Sequence, residues 1–338
     1  MTPDRLTFSA LLFALCLLGL GCNAPLAVAQ QPSRQIDLQG HRGARGLAPE
    51  NTLASFATAL SLGVTTLELD IGITRDGVLV LSHDPTLNPD ITRNPDGKFL
   101  DARGPAISSL TFEELQKFDV GTLKPGTGYA QQFPYQKASP GTRIPRLTDL
   151  FDLVKRSGNT QVRFAIETKL SPAAPNETVS PEVFARAVIS AIKDAGVEKR
   201  SSVLSFDWRT LQVVQKEAPE IPTVYLTIER RNTNNTTNPA WTAGHLIRNY
   251  GSVPKMVKAA GGHTWSSDWE ALNKPLVQEA QALGLTVLAW TVNDPRQMET
   301  MLDMGVDGLV TDRPDLARDV LQKRGLSVPD PTPISHQP

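Results

Sequence analysis

Residues 65–71 read Thr-Thr-Leu-Glu-Leu-Asp-Ile. β-branched and aliphatic residues in so short a run favour a strand, and side chains two apart on a strand share a face. Glu68 and Asp70 therefore point the same way out of an otherwise apolar segment. Upstream, Leu53, Phe56, Ala57 and Leu60 repeat at i, i+3, i+4 and i+7, the stripe of an amphipathic helix. A short apolar strand at 36–39 precedes it. The alternation continues downstream, with strands expected at 161–167, 202–206, 223–227, 263–266, 285–291 and 308–311. Helical patterns lie between most of them, near 147–156, 181–194, 208–217, 274–283, 295–304 and 314–323. Pro181 and Pro314 sit where a helix start tolerates proline. Eight strands alternating with helices predict an α/β fold, a closed parallel (β/α)8 TIM-type barrel; a doubly wound open sheet is the alternative.

One connection breaks this rhythm. From Asp84 to about Thr148 the chain fills with Gly, Pro and polar residues, and only 112–118 reads as helical. Long connections of this kind are usually functional, so residues 85–147 are read as an inserted segment after the second strand region, capping the site. The barrel domain is placed at 30–325. Residues 326–338 carry Pro329, Pro331, Pro333 and Pro338 and are expected to be disordered.

The chain has 338 residues, 40% of them hydrophobic, and a formal net charge of −1. That is ample for one barrel of about 250 residues, and it supplies no global field to recruit nucleic acid. An anionic substrate must be held by local groups. Residues 1–29 have the layout of a signal peptide: Arg5, an apolar run from Leu6 to Leu20, and Ala27-Val28-Ala29 as a cleavage site. The expectation is an exported protein, periplasmic or secreted, or alternatively lipid-anchored through Cys22. Both cysteines, Cys16 and Cys22, fall in that segment, so a chain cut after Ala29 has no disulfide, thiol nucleophile or thiolate metal site.

In a parallel barrel the chemistry sits at the C-terminal ends of the strands. His41-Arg42-Gly43 ends the first expected strand; Glu68 and Asp70 lie on the second, with His83 on a short extension beyond. Glu167-Thr168-Lys169 ends the third, and Trp290-Thr291-Val292-Asn293 the seventh. Two inward carboxylates repel each other and lose hydration. A divalent cation resolves both problems, with Glu167 as a third oxygen ligand, and an all-oxygen site suits Mg²⁺ or Ca²⁺. The alternative is a buried ion network with Arg42 and Lys169. His41 and His83 beside the acids can divide general-base and general-acid work, whereas His245, His263 and His336 are assigned structural or surface roles. Arg42 suits bidentate phosphate binding and Lys169 adds a point charge.

His41-Arg42-Gly43, Pro49-Glu50-Asn51-Thr52, Glu68-x-Asp70 and His83-Asp84, with Glu167-x-Lys169, Trp290-Thr291-Val292-Asn293 and Gly308-Leu309-Val310-Thr311-Asp312-x-Pro314, resemble the glycerophosphodiester phosphodiesterase family. The resemblance spans about residues 36–320. It implies a (β/α)8 barrel and hydrolysis of glycerophosphodiesters, such as glycerophosphocholine, to glycerol 3-phosphate and an alcohol. It suggests Glu68, Asp70 and Glu167 as ligands of one divalent cation, His41 and His83 as the catalytic pair, and Arg42 and Lys169 as phosphate-binding groups. Glu50 would approach the metal or the glycerol hydroxyls, or else cap the helix near Asn51; Trp290 would line the glycerol side. The partner so implied is a small-molecule diester, with no nucleic acid and no stable protein partner. Two rivals stand beside this reading: a lysophospholipase D-like or sphingomyelinase D-like enzyme on the same barrel, and a non-catalytic phosphodiester-binding protein.

Overall fold

A computed structural model describes residues 35–334. The segment read as a signal peptide, with Cys16 and Cys22, and His336 lie outside the described residues. Eight strands form the barrel: β1 (Asp37–Gly40), β2 (Thr66–Ile73), β3 (Arg163–Thr168), β4 (Ser201–Ser205), β5 (Thr223–Thr227), β6 (Thr264–Asp268), β7 (Thr286–Trp290) and β8 (Gly308–Thr311). Each pairs in parallel with the next, and β8 pairs with β1 to close the ring. Closure excludes the open-sheet alternative.

Eight helices follow the strands in turn: α1 (Leu53–Leu62), α2 (Leu147–Arg156), α3 (Pro181–Asp194), α4 (Trp208–Glu217), α5 (Val253–Ala259), α6 (Lys274–Ala282), α7 (Pro295–Met304) and α8 (Pro314–Lys323). Their starts carry the expected chemistry. Thr52, Ser180, Ser252, Asn273 and Asp294 each accept a first-turn N–H. The main core lies between the strands and the helices, and includes Phe56, Phe164, Trp208 and Trp265. Ala165, Leu204, Val224, Leu226 and Leu288 form a small plug inside the barrel.

The sequence reading omitted α5. It is seven residues long, carries Pro254 and lies between Gly251 and Gly261, so its apolar stripe is too short to stand out. Residues 82–146 contain only short helices, Phe112–Leu115 and Gly128–Gln132 among them, yet Leu87, Ile107, Leu115, Val120 and Ile144 form an apolar cluster there that packs with Val80 just upstream. The expectation of a disordered tail is corrected for its described part. Residues 327–334 form no helix or strand, but the Thr332 N–H donates to Leu60 O at 2.9 Å. Thr332 Oγ1 also accepts from Asn159 at 3.0 Å, and Pro329 O from Arg318 at 2.7 Å. Fixed backbone hydrogen bonds and the packing of Val328 and Ile334 on the core hold a segment whose composition alone suggests solvation.

Candidate active site

Strands β2 and β3 are in register with Asp70 opposite Glu167 and Glu68 opposite Ala165. The alternation of strand side chains then turns Glu68, Asp70 and Glu167 into the barrel together. One oxygen from each lies within 4.8 Å of the others, and all three residues are buried. Burial and the neighbouring acids push Glu68 well above the usual carboxylate range. Burial, against the pull of Lys169, pushes Glu167 up to about 7. Asp70 moves the other way: burial would raise it, but Arg42 and Lys169 outweigh that and hold it well below its ordinary value.

Two cations answer part of this charge. Lys169 Nζ lies 2.6 Å from Glu167 Oε1 and 3.6 Å from Asp70 Oδ1, and Arg42 Nε lies 3.2 Å from Asp70 Oδ2. The ion network considered from sequence is thus present, but it is incomplete. Asp70 Oδ1 is buried without a hydrogen-bond partner, and Glu68 is driven toward its neutral form. An orphaned carboxylate oxygen among three acids fits a hard divalent cation such as Mg²⁺ or Ca²⁺.

Arg42 follows β1 in a tight turn. Its φ is +49° and that of Gly43 is +86°; a Cβ on Gly43 would meet the Ser55 backbone at 2.7 Å. Left-handed backbone at a non-glycine residue is a cost that surrounding contacts must over-determine. Here the Arg42 N–H donates to Glu68 Oε2 at 2.8 Å and its Nη1 to Glu50 Oε1 at 2.8 Å. Glu50 does not cap α1, because Thr52 does. Its carboxylate instead holds Arg42 and accepts a hydrogen bond from the Tyr129 hydroxyl. Asn51, at φ +53°, grips Asp70 from both sides: Nδ2 donates to Oδ2 at 2.9 Å and Oδ1 accepts the Asp70 N–H at 3.2 Å.

The two histidines arrive differently. His41 sits just past β1, with Nδ1 2.6 Å from Asp312 Oδ1 and Nε2 3.9 Å from Glu68 Oε2. Burial lowers its imidazole to about 4 despite Asp312, and Arg45 and Arg42 add to the effect. His83 is not on an extension of β2, as the sequence suggested. A short antiparallel strand, Leu79–Leu81, folds back on the end of β2 with Leu81 opposite Ile71. The Ser82 N–H then donates to Asp70 O at 3.0 Å. His83 is brought back to the level of the acids with Nδ1 2.9 Å from Asp84 Oδ1. Burial, Arg42 and Lys169 hold it below its ordinary value.

Trp290 ends β7, donates its indole N–H to Ser266 O at 3.2 Å and packs edge-on to Phe206 at 5.4 Å. His41, Arg42, Glu68, Glu167, Lys169 and Trp290 line one central cavity of about 540 Å³. A second cavity of about 480 Å³ opens beside it, and His83, Glu167, Lys169 and Phe206 line both. All nine residues singled out from sequence gather here. Sequence reasoning quoted Asn293 and Asp312 within motifs without giving them a role, and passed over Arg45 and Tyr129. Asp312 accepts from Arg45 Nε at 2.9 Å, Arg45 Nη2 at 3.0 Å and Asn293 Nδ2 at 2.6 Å, besides touching His41. Asp312 and Asn293 follow β8 and β7, so the strand-end rule that singled out His41 extends to both. Tyr129 lies deep in the long connection, where no pattern marks it.

The fold and this mouth define a (β/α)8-barrel hydrolase with acids, imidazoles and buried cations at the C-terminal face. The glycerophosphoryl diester phosphodiesterase family model matches residues 41–316, and the chain belongs to that family of enzymes. It is 30% identical over 275 residues to a putative glycerophosphodiester phosphodiesterase of Bacillus subtilis, covering 81% of this chain and 93% of that protein. It is 30% identical to a glycerophosphodiester phosphodiesterase of Caldanaerobacter subterraneus, covering 84% and 97%. A solved putative glycerophosphoryl diester phosphodiesterase from Silicibacter pomeroyi is 35% identical, with a TM-score of 0.78, covering 88% and 96%.

Proposed function

We propose that the protein hydrolyses glycerophosphodiesters to glycerol 3-phosphate and an alcohol, in a reaction that depends on one divalent cation, with His41 and His83 as base and acid. The observation that carries this is the convergence of Glu68, Asp70 and Glu167 between two differently partnered imidazoles. A cation held by the three acids would supply Lewis-acid stabilisation of the phosphate charge. Arg42 and Lys169 bind the phosphate oxygens, Glu50 fixes the plane of Arg42, and Trp290 lines the glycerol side.

His41 donates its Nδ1–H to Asp312, which leaves the Nε2 lone pair facing the central cavity. Kept neutral by burial, it takes the proton of the nucleophile, either water or the adjacent glycerol hydroxyl. His83, at the junction of the two cavities, acts as the acid in its protonated form, which Asp84 and the negative charge of the bound diester favour, and gives its Nε2 proton to the departing alkoxide. A related phosphodiesterase from Oleispira antarctica, 22% identical, is known in complex with the product sn-glycerol-3-phosphate, and the central cavity here has the groups such a product needs. We further propose export, with cleavage after Ala29, and residues 85–147 as an inserted cap.

The test is glycerol 3-phosphate release from a panel of glycerophosphodiesters, first with EDTA and then with Mg²⁺ or Ca²⁺ restored. Loss with chelator and recovery with one cation is the expected result. Undiminished turnover in EDTA would remove the cation from the reaction, and no turnover of any diester would overturn the assignment. A cyclic phosphate found among the products would identify the glycerol hydroxyl as nucleophile.

A further inference from the structure

The barrel has a further hollow at the end where its strands begin. It measures about 380 Å³ and shares no lining residue with the central cavity. The apolar plug separates the two. Leu204 and Leu226 face the central cavity, while Val224 and Leu288 close the base hollow from within. The chemistry proposed above uses none of its residues, yet its volume lies in the range of small-molecule sites, about 300–1,000 Å³.

Strand alternation makes the wall of this hollow polar. On β4, Leu204 belongs to the plug, so Ser202, two residues earlier, points inward as well. Thr264 of β6 lies opposite Val224, another plug residue, and Thr286 of β7 lies opposite Thr264. Both threonines therefore turn inward, and three hydroxyls edge the hollow. Gln39 of β1 adds an amide and is only 3% exposed. Its Nε2 donates to Asp37 Oδ2 at 2.9 Å, which fixes the orientation of the amide. The other end, Oε1, is buried with no hydrogen-bond partner. A buried acceptor without a donor is costly, so this oxygen calls for a ligand that brings an O–H or N–H.

Charge narrows the class of ligand. Asp37 is answered: Oδ1 accepts from Thr66 Oγ1 at 2.7 Å and lies 2.9 Å from Arg163 Nη2. At the rim, Arg200 donates to Val162 O at 3.1 Å and Asp307 accepts the Val287 N–H at 2.8 Å. Lys199 is exposed at the same edge. A carboxylate or phosphate brings acceptors and would set one against Gln39 Oε1. A cation would meet Arg163 and Lys199. An uncharged polyol brings a donor for Oε1 and both donors and acceptors for the hydroxyls. We propose that the base of the barrel is a binding site for a small uncharged polyol, held by Gln39 Oε1 and the hydroxyls of Ser202, Thr264 and Thr286.

Sorbitol and gluconate are the probes, since they differ only in carrying a terminal CH₂OH or a carboxylate. Isothermal titration calorimetry of the purified protein should show saturable one-to-one binding of sorbitol and weaker binding of gluconate. Thr264→Val removes one hydroxyl and keeps the branched shape. It should weaken sorbitol roughly three- to tenfold, the loss of one hydrogen bond, and leave turnover of a glycerophosphodiester unchanged. Thr286→Val, at an exposed position, gives the same reading should Thr264→Val fail to fold. Absence of sorbitol binding would leave the hollow to water and overturn the proposal. Sorbitol binding untouched by both substitutions would place the polyol elsewhere and overturn it too. Gluconate bound as tightly as sorbitol would make the rim bases the recognising groups and overturn the choice of an uncharged ligand. Binding is read without turnover, so the phosphodiesterase reading stands or falls separately.

Discussion

Asp312 Oδ1 stands 2.6 Å from Nδ1 of His41, although 271 residues separate them in the chain. The first and last barrel strands pair in register, Gly40 with Thr311, so closing the barrel is what brings this dyad together. Burial would raise the Asp312 carboxyl, but Arg45 and His41 outweigh it and hold Asp312 well below its ordinary value. Asp312 therefore stays an acceptor, which fixes the His41 tautomer.

Asp312→Asn should retain the barrel and lose the tautomer, because an amide can offer Nδ1 a donor instead of an acceptor. We expect kcat to fall by about 10²-fold or more, the scale of a lost general base, with KM little changed. Steady-state kinetics on any turned-over diester check this; wild-type kcat in the variant would assign Asp312 to packing alone.

Cation binding should be visible without turnover. A ligand at about 100 times its Kd adds about 2.7 kcal/mol to the folded state, or about 4 °C or more in Tm for a domain of this size. Mg²⁺ or Ca²⁺ should therefore raise the Tm of the wild-type protein and leave that of Asp70→Asn unmoved. Identical shifts in both proteins would place the cation elsewhere.

Glu167 gives a pH signature to the cation-free protein. Its folded value, about 7, lies above its ordinary value of 4.5, so the folded state binds more protons than the unfolded one in that window. Stability conferred by residue 167 is then greatest at low pH and is lost as pH rises from about 4.5 to 7. His41 and His83 change stability in the opposite sense across part of this range, so the quantity to measure is a difference. In EDTA, the urea-derived stability of wild type minus that of Glu167→Gln should fall as pH rises. A flat or rising difference would mean that Glu167 is ionised throughout.

Tyr129 reaches the site from the short helix Gly128–Gln132, and its hydroxyl donates to Glu50. A hydrogen bond to a charged group contributes about 1.5–3 kcal/mol, and its loss would loosen the Glu50–Arg42 pair. Tyr129→Phe is expected to lower kcat/KM roughly tenfold, mainly through KM, since the proposed Arg42–phosphate contact would be made in ground and transition states alike. An unchanged KM would detach the long connection from phosphate binding.

The barrel and most of its mouth were legible because both rest on local rules. Period-two and period-3.6 patterns marked strands and helices, and the strand-end rule collected His41, Glu68, Asp70, Glu167 and Lys169. Three kinds of feature escaped. Leu79–Leu81 is three residues long, too short for any periodicity to reveal that it turns back and carries His83 with it. α5 was hidden by its proline and flanking glycines. Tyr129 acts through a contact made 79 residues away, and nothing in a linear pattern ties a loop side chain to a partner so remote.

The tail contacts at Leu60 and Asn159, together with Gln35 beside the first residues of the barrel strands, have a practical side. Both ends of the described residues lie at the end of the barrel where the strands begin, opposite the catalytic face. A linker attached close to residue 35 or residue 334 would then start behind the barrel, with the opening on the far side.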